Sequence, residues 1–169
     1  MPRPAGEEED RLRRLYASTL DEVFGYLLVR CGGDRVVAED ICSETYLAAV
    51  DRIRRGDLDS ITVPWLKVVA RNKLVDHWRR QSRIMRRAAD LRVVTPTTDD
   101  GRIDGVLERE SVVRALGSLR DDHRLTLVLH YLDGLSAAEV GEIMGRSVAA
   151  MESLLARARR ALSDALGEA

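Results

Sequence analysis

The sequence predicts an all-α protein of two small helical domains joined by a flexible linker, the C-terminal one being a helix-turn-helix. Apolar residues recur at three- and four-residue steps along most of the 169 residues, and this is the period of an amphipathic helix. Alternating apolar and polar residues, which indicate strands, are nearly absent. The helical pattern lapses between Val93 and Asp104, where turn-forming residues replace core residues.

Four segments are predicted from these patterns. Residues 1–10 form an acidic, disordered tail without the apolar stretch of a signal peptide. Residues 11–91 and 105–169 form the two helical domains, and residues 92–104 form the linker. No stretch approaches the roughly 18–20 apolar residues that cross a bilayer. We therefore expect no membrane insertion, and the cytoplasm is the predicted compartment.

Glycines and capping residues set the limits of the first two predicted helices. Apolar residues recur through 12–28 and mark the first helix, which ends at Gly32-Gly33. Asp34 is the predicted N-cap of the second helix, because its carboxylate can accept from backbone N–H groups of the first turn. Gly56 ends the second helix.

The third predicted helix carries the positive charge of the chain. Residues 61–92 hold nine basic and two acidic residues, a net charge of +7 in a chain whose net charge is −1. Thr62 and Pro64 open this helix, since proline is tolerated in a first turn, and the pattern continues past Arg87. Such a segment indicates nucleic-acid binding that weakens with salt, and Asn72 could read a base edge. A solvated helical face is the alternative.

Side chains that could carry other chemistry are interpreted more simply. Cys31 and Cys42 make neither a disulfide framework nor a metal cluster, and both fit the apolar face of a predicted helix as buried thiols. Trp65 and Trp78 occur at core spacing, so we expect packing rather than base stacking. The sequence shows no nucleophile–base pair and no phosphate-binding glycine loop, so no catalytic residue, metal or cofactor is predicted. The histidines are scattered, at His77, His123 and His130.

The C-terminal segment has the pattern of a helix-turn-helix. Ser136 and Glu139 have capping-box spacing, Gly145 can end the short helix in the left-handed conformation, and Ser147 can cap the helix that follows. In such motifs the second helix lies in the major groove of DNA. An ordinary pair of packed helices is the alternative. The outward positions of the second helix include Ala149, Ala150, Glu152, Ser153, Ala156, Arg157 and Arg160.

Three segments, in order, resemble one protein family. Ala38–Leu47 resembles region 2.2 of the extracytoplasmic-function sigma factors, usually AEDLxQETFL. Trp65–Arg80 is similar to regions 2.3–2.4, WLxxIARNxxxDxxRR. Gly134–Gly145, followed by Arg157–Leu162, resembles region 4.2. The order, the spacing and the linker together make this resemblance specific, and it covers nearly the whole chain.

The resemblance implies a sigma factor that directs core RNA polymerase to promoters and is not itself an enzyme. Region 2 would occupy residues 11–91 and region 4 residues 105–169. The residues implied for −10 recognition and strand opening are Arg71, Asn72, Lys73, Asp76, His77, Arg79, Arg80 and Arg83. The loop implied to pocket a flipped base contains Arg55, Asp57, Asp59 and Ser60. The residues implied for −35 contact are Arg146, Ser147, Ala149, Ala150, Ser153, Arg157 and Arg160.

The same resemblance implies protein partners. Core RNA polymerase would bind region 2 through the clamp helices of its largest subunit and region 4 through its flap. The linker, with Asp99 and Asp100, would run toward the RNA exit path. Promoter DNA, duplex and melted, and an anti-sigma factor are the other implied partners, and the holoenzyme would be associated with the nucleoid. The residues implied for core polymerase binding are Asp40, Ser43, Glu44 and Tyr46.

The sequence departs from the family pattern at several positions. Ser43 replaces the usual glutamine, the LPxxxR opening of region 4 lacks its proline, and Gly141 replaces an alanine inside a helix, at a cost of about 1 kcal/mol. The recognition helix has lost most of its usual polar residues, so −10 recognition is the firmer expectation. A helix-turn-helix regulator acting without polymerase, and a polymerase-binding protein with weak DNA reading, are the alternatives.

Overall fold

The computed structural model describes residues 5–57, 59–89 and 107–167. These residues form seven α-helices and one π-helical turn, with no strand among them, so the all-α prediction is confirmed for this part of the chain. The predicted linker, 92–104, with Asp99 and Asp100, lies outside the described residues. The helices are α1 (Ala5–Arg30), α2 (Arg35–Arg54), α3 (Val63–Ala89), α4 (Leu107–Ser118), α5 (Asp121–Leu127), α6 (Ala137–Met144) and α7 (Val148–Gly167), and the π-helical turn is Val128–Leu132.

The first helix begins earlier than the sequence pattern indicates. It starts at Ala5, inside the segment 1–10 that was predicted to be a disordered tail; residues 1–4 lie outside the described part. Glu9 accepts from Arg13 at 2.7 Å, an i,i+4 ion pair on the exposed surface. Such pairs add a few tenths of a kcal/mol to a helix, which favours extension of α1 into this acidic stretch.

The predicted caps are present at the ends of the first helices. Gly32 and Gly33 have φ values of 66° and 84° after α1, a conformation that glycine adopts without strain. The Asp34 carboxylate accepts from the Val37 N–H at 3.1 Å and caps α2. The Thr62 hydroxyl accepts from the Trp65 N–H at 3.3 Å at the start of α3.

Among the described residues, the chain forms two compact units. Residues up to Val29, together with Asp34–Leu74, make the first, and Arg30–Gly33 with the chain from Val75 onward make the second. In the first unit, the Thr19 and Tyr46 hydroxyl groups are hydrogen-bonded at 2.8 Å within the core. The side chains at the centre of this core are fully buried, among them Val23, Leu27, Ile41, Leu66 and Leu74.

The second unit contains the helices that surround α7. One buried cluster is formed by Leu116, Leu119, Leu127 and Ala158. The other side of α7 packs on α6, where Val140 and Met151 are fully buried. The two cysteines of the chain are buried and not joined in a disulfide, as predicted, with Cys31 in this unit and Cys42 in the first.

The second unit also encloses the guanidinium of Arg124. Its Nη2 donates to the Asp121 carboxylate at 2.7 Å, and its Nη1 donates to the backbone carbonyls of Cys31 at 3.3 Å and Gly117 at 3.4 Å. The guanidinium carbon lies 4.5 Å from the centre of the Trp78 ring, within the range of a cation–π interaction. Arg124 therefore joins the turn after α1, the middle of α3 and the end of α4.

A second ion pair and a close backbone approach reinforce the same unit. Arg30 donates to the Asp133 carboxylate at 2.6 Å, and the exposed fractions of the two side chains are only 11% and 6%. The backbones of Gly32 and Gly117 meet so closely that a Cβ at Gly32 would lie 2.5 Å from the Gly117 Cα. Only glycine fits this contact at both positions.

Replacing the buried arginine should destabilise the protein. The change Arg124→Met removes the cation and its hydrogen bonds to Asp121 and to the buried carbonyls, and we expect a loss of about 2 kcal/mol in the free energy of unfolding. Urea unfolding followed by circular dichroism measures this loss. Arg109→Met, on the exposed surface of α4, is the matched control and should change the free energy little. Equal midpoints for the two variants would contradict the role given to Arg124.

Candidate nucleic-acid interface

One side of α3 is anchored in the protein core. Leu66, Ala70, Leu74 and Trp78 repeat at four-residue steps, and each is at most 5% exposed. Residues at this spacing lie on one face of a helix. The helix therefore has a fixed rotation about its own axis. The prediction that Trp78 packs in the core is confirmed.

The opposite side of α3 presents a polar row, which we call the α3 row: Asn72, Asp76, Arg79 and Arg83. All four are exposed and follow one another at steps of four, three and four residues, so they extend along about 16 Å of the helix. The Arg79 guanidinium lies 3.9 Å from the Asp76 carboxylate. The Arg83 Nε donates to the Arg79 carbonyl at 3.2 Å. The row thus brings one amide and two guanidinium groups to solvent on one face.

The remaining residues predicted to contact the −10 element lie beside the α3 row. Arg80 is exposed, whereas His77 is half-buried, with its ring 4.9 Å from the Trp78 ring in an edge-on arrangement. Arg71 and Lys73 are half-buried on the two flanks of Asn72. Arg71 forms no ion pair with any residue of the described part.

Lys73 connects α3 with α2. Its ammonium group lies 3.4 Å from the Glu44 carboxylate, and both side chains are about two-fifths exposed. The resemblance implies DNA binding for Lys73 and polymerase binding for Glu44, so the structure pairs a residue from each predicted site. An exposed pair of this kind contributes little to stability, but it fixes Lys73 beside α2.

The loop before α3 is organised by a residue that the sequence analysis missed. Arg52, in the last turn of α2, donates from Nε to the Ser60 hydroxyl at 2.6 Å. Its Nη2 forms an ion pair with the Asp57 carboxylate at 2.7 Å. Its guanidinium also covers the Trp65 ring, 5.1 Å from the ring centre. No local sequence pattern indicates these partners, because they lie on three different parts of the loop and helix.

The four loop residues predicted to form a base pocket contact different parts of the protein and do not line one common cavity. Arg55 lines a shallow depression of about 270 Å³ together with Ala48, Asp51, Arg52 and Trp65. Asp57 and Ser60 are engaged by Arg52, as described above. Asp59 instead pairs with Arg11 of α1 at 3.1 Å. Leu58 lies outside the described residues.

The α2 surface predicted to bind polymerase is partly exposed and partly buried. Asp40 and Ser43 are exposed and Glu44 is half-buried. Tyr46 is 6% exposed, and burial raises the pKa of its hydroxyl. Tyr46 therefore supports α2 from the core. An apolar groove of about 460 Å³ runs beside Ser43 and is lined by Leu12, Arg13, Tyr16, Ser43, Tyr46, Leu47 and Val50.

The helix-turn-helix forms with the predicted caps. The Ser136 hydroxyl accepts from the Glu139 N–H at 3.2 Å, and the Glu139 carboxylate accepts from the Ser136 N–H at 2.8 Å. Hydrogen bonds from Ser136 lower the pKa of the Glu139 carboxyl group. Gly145 has a φ of 65° and ends α6, and the Ser147 hydroxyl accepts from the Ala150 N–H at 3.3 Å in the first turn of α7.

The glycine at position 141 has a structural reason that the sequence did not reveal. A Cβ at Gly141 would lie 2.8 Å from the Arg146 carbonyl oxygen, closer than real Cβ atoms come to backbone. The tight turn between α6 and α7 brings that carbonyl against α6, where the Arg146 N–H also donates to the Gly141 carbonyl at 2.8 Å. The low helix propensity of glycine is thus offset by the close packing of the turn.

The residues predicted to contact the −35 element differ in their availability. Ala149, Ala150, Ser153, Arg157 and Arg160 are exposed on α7. Arg146 is less accessible, because its side chain is 29% exposed and lies 3.8 Å from the Asp122 carboxylate. Ser147 is exposed, but its hydroxyl serves as a helix cap. The apolar stripe predicted for α7 is buried at Met151, Leu154, Leu155 and Ala158.

Comparison with known proteins assigns the family. The family model "Sigma-70 region 2" matches residues 15–84, and "Sigma-70, region 4" matches residues 109–162. The ECF RNA polymerase sigma factor SigF of Caulobacter vibrioides is 37% identical over 148 residues, which are 85% of this chain and 79% of SigF. This chain belongs to the extracytoplasmic-function sigma factors. The two matched regions contain the α3 row and the helix-turn-helix, respectively.

One further relative agrees with this assignment, and one solved structure shares the fold. The ECF RNA polymerase sigma factor BldN of Streptomyces coelicolor is 31% identical over 164 residues, covering 94% of this chain but 61% of BldN. The sigma factor RpoE of Bartonella quintana, solved in complex with the anti-sigma factor NepR, aligns with a TM-score of 0.50 at 20% identity. That alignment covers 92% of this chain and 96% of RpoE, and it supports the fold.

Two other kinds of site are not found in the described part of this sigma factor. Its helices lack a segment with both the length and the apolar character needed to cross a membrane. Within residues 5–57, 59–89 and 107–167, no three His, Cys, Asp or Glu side chains are grouped so that they could hold a metal ion.

Replacing Arg52 should loosen the loop before α3. Arg52→Gln removes the cation that holds Asp57 and Ser60, so the loop amides should open more often. We expect the Gly56 and Asp57 amides, which bond to carbonyls at the end of α2, to exchange about fivefold faster, corresponding to about 1 kcal/mol. Hydrogen–deuterium exchange measures these rates. Arg35→Gln, an exposed change at the start of α2, is the control, and equal exchange in both variants would contradict this role.

Proposed function

We propose that this sigma factor directs core RNA polymerase to promoters, holds the opened −10 strand with α3 and contacts the −35 element with α7. The observation that carries the proposal is the α3 row, fixed toward solvent by the buried stripe on the opposite face. It supplies two guanidinium groups for phosphates and one amide for a base edge. We propose that the sigma factor acts in the cytoplasm, associated with the nucleoid in the holoenzyme, and is not itself an enzyme.

Strand opening would follow from binding. Extruding a base costs a few kcal/mol of stacking and pairing, and contacts to the released strand must offset this cost. The depression lined by Arg52, Arg55 and Trp65 is the proposed receptor for the base, because it presents cations at the start of α3. The Trp65 ring, covered by Arg52, forms part of its wall. Arg79, Arg80 and Arg83 would then hold successive phosphates of the same strand, as in other single-strand binding surfaces.

The polymerase would dock on α2. Asp40 and Glu44 give this surface negative charge, and the apolar groove beside Ser43 adds exposed side chains, of which Leu47 is 63% exposed. We propose that the clamp helices of the largest polymerase subunit occupy this surface and that the flap contacts region 4. Because Glu44 is paired with Lys73, polymerase binding at α2 would also affect the position of Lys73 beside the α3 row.

An anti-sigma factor is a further proposed partner. The RpoE structure that this chain resembles was solved with the anti-sigma factor NepR, and we propose that a protein of that class sequesters this sigma factor. The groove and the α2 surface are where such a protein would compete with polymerase.

Removing two cations beside the α3 row should weaken promoter binding in a salt-dependent way. For Arg79→Ala with Arg80→Ala, the slope of log affinity against log salt should fall by about two, because two phosphate contacts are lost. Fluorescence anisotropy of holoenzyme on promoter DNA at several salt concentrations measures this slope. Arg35→Ala with Arg109→Ala removes the same charge elsewhere and should leave the slope unchanged. An unchanged slope in the first variant would contradict the assignment.

Reversing charge on α2 should affect polymerase binding instead. Asp40→Arg places a cation on the proposed docking surface, so affinity for core polymerase should fall while the salt slope for DNA is retained. Titration of labelled sigma factor with core polymerase measures the affinity, with Asp21→Arg on α1 as the matched control. If Asp40→Arg lowered polymerase affinity as much as Arg79→Ala with Arg80→Ala, the polymerase-binding surface on α2 and the DNA-binding surface on α3 would not be separate.

Run-off transcription with purified core polymerase tests the function as a whole. Promoter-specific transcripts should depend on adding this chain. A helix-turn-helix regulator that acts without polymerase would bind duplex DNA by itself, and transcription would not depend on adding it. A polymerase-binding protein with weak DNA reading would bind core polymerase without producing specific transcripts. Either of these outcomes would overturn the proposed function.

A further inference from the structure

The exposed surface of α7 is apolar at its start. Recognition helices of helix-turn-helix proteins contact base edges with their N-terminal residues. In α7 these exposed residues include Val148, which is 47% exposed, and Ala149 and Ala150 in the same turn. Ser153 and Ala156 continue the exposed face, opposite the side on which Met151, Leu154 and Leu155 are buried. Methyl groups thus dominate the surface that would enter the major groove.

Cations are absent from this part of the described surface. The nearest one before the helix, Arg146, lies 3.8 Å from the Asp122 carboxylate and is only 29% exposed. The first cation within α7 is Arg157, about 13 Å along the helix axis from Val148. Glu152 is exposed between them and repels phosphates. The usual bidentate reading of guanine by arginine is therefore not available from the first two turns.

We propose that Ala149 and Ala150 recognise thymine methyl groups in the −35 element, which makes them specificity residues of the DNA-binding site. The thymine C5-methyl group is the apolar group that base pairs present in the major groove, and alanine is one of the side chains that contact it. This inference rests on the proposed function, since it requires region 4 to meet the −35 element. It predicts a −35 sequence that contains thymine opposite the start of α7.

Replacing thymine by uracil tests this contact, because the two bases differ only by the methyl group. The −35 sequence is first selected from a randomised promoter pool by holoenzyme made with the full chain. Each dT of the selected −35 element is then replaced by dU, and holoenzyme affinity is measured by competition. We expect about fourfold weaker binding for each contacted methyl and no change for dU in the spacer.

Protein variants identify the residues that sense the methyl group. The double variant Ala149→Ser with Ala150→Ser keeps α7 helical but replaces methyl groups by hydroxyl groups, and it should bind the dT and dU promoters equally. Ala138→Ser, exposed on α6, is the control and should retain the fourfold difference. Loss of core polymerase affinity in the double variant would mean that this face binds protein, and it would overturn the inference.

Two outcomes separate this inference from the proposed function. Specific transcripts from a holoenzyme that binds dT and dU promoters equally, or that selects a −35 element without thymine, would overturn the thymine contact alone. Failure to produce any specific transcript would overturn the proposed function and, with it, this inference.

Discussion

The burial of one face of α3 is the constraint on which the rest of the account depends. Leu66, Ala70 and Leu74 are buried in the first unit and Trp78 in the second, and a helix held on one face has no freedom to rotate. The opposite face must then carry Asn72, Arg79 and Arg83 to solvent. A basic segment that could have been an ordinary solvated surface thereby becomes an ordered row, whose spacing is set by the helix and whose charge can be matched to a nucleic-acid strand.

The two proposed binding surfaces of the first helices are physically connected. Lys73 and Glu44 form an ion pair between α3 and α2, and Arg52 joins the end of α2 to the loop before α3. A partner that binds α2 would therefore act on groups beside the α3 row without any large movement. The helix-turn-helix differs from this arrangement, because its exposed start is apolar and its nearest arginine is paired with Asp122.

Features determined by neighbouring residues could be predicted from the sequence. The all-α fold, the Asp34 cap, the capping box at Ser136 and the glycine turn at Gly145 each depend on residues within one or two helical turns. Contacts between distant segments could not be predicted. The burial of Arg124 against Trp78, the loop contacts of Arg52 and the close approach that requires Gly141 all depend on tertiary packing. The individual DNA and polymerase contacts remain predictions, since they depend on partners.

Binding to melted and paired promoter DNA tests the central claim most directly. Holoenzyme made with the full chain is titrated against two templates of the same sequence, one fully paired and one with unpaired bases across the −10 element. The account predicts tighter binding to the unpaired template and the loss of most of this preference in Asn72→Ala with Arg79→Ala. Equal affinity of the unaltered protein for the two templates would contradict it.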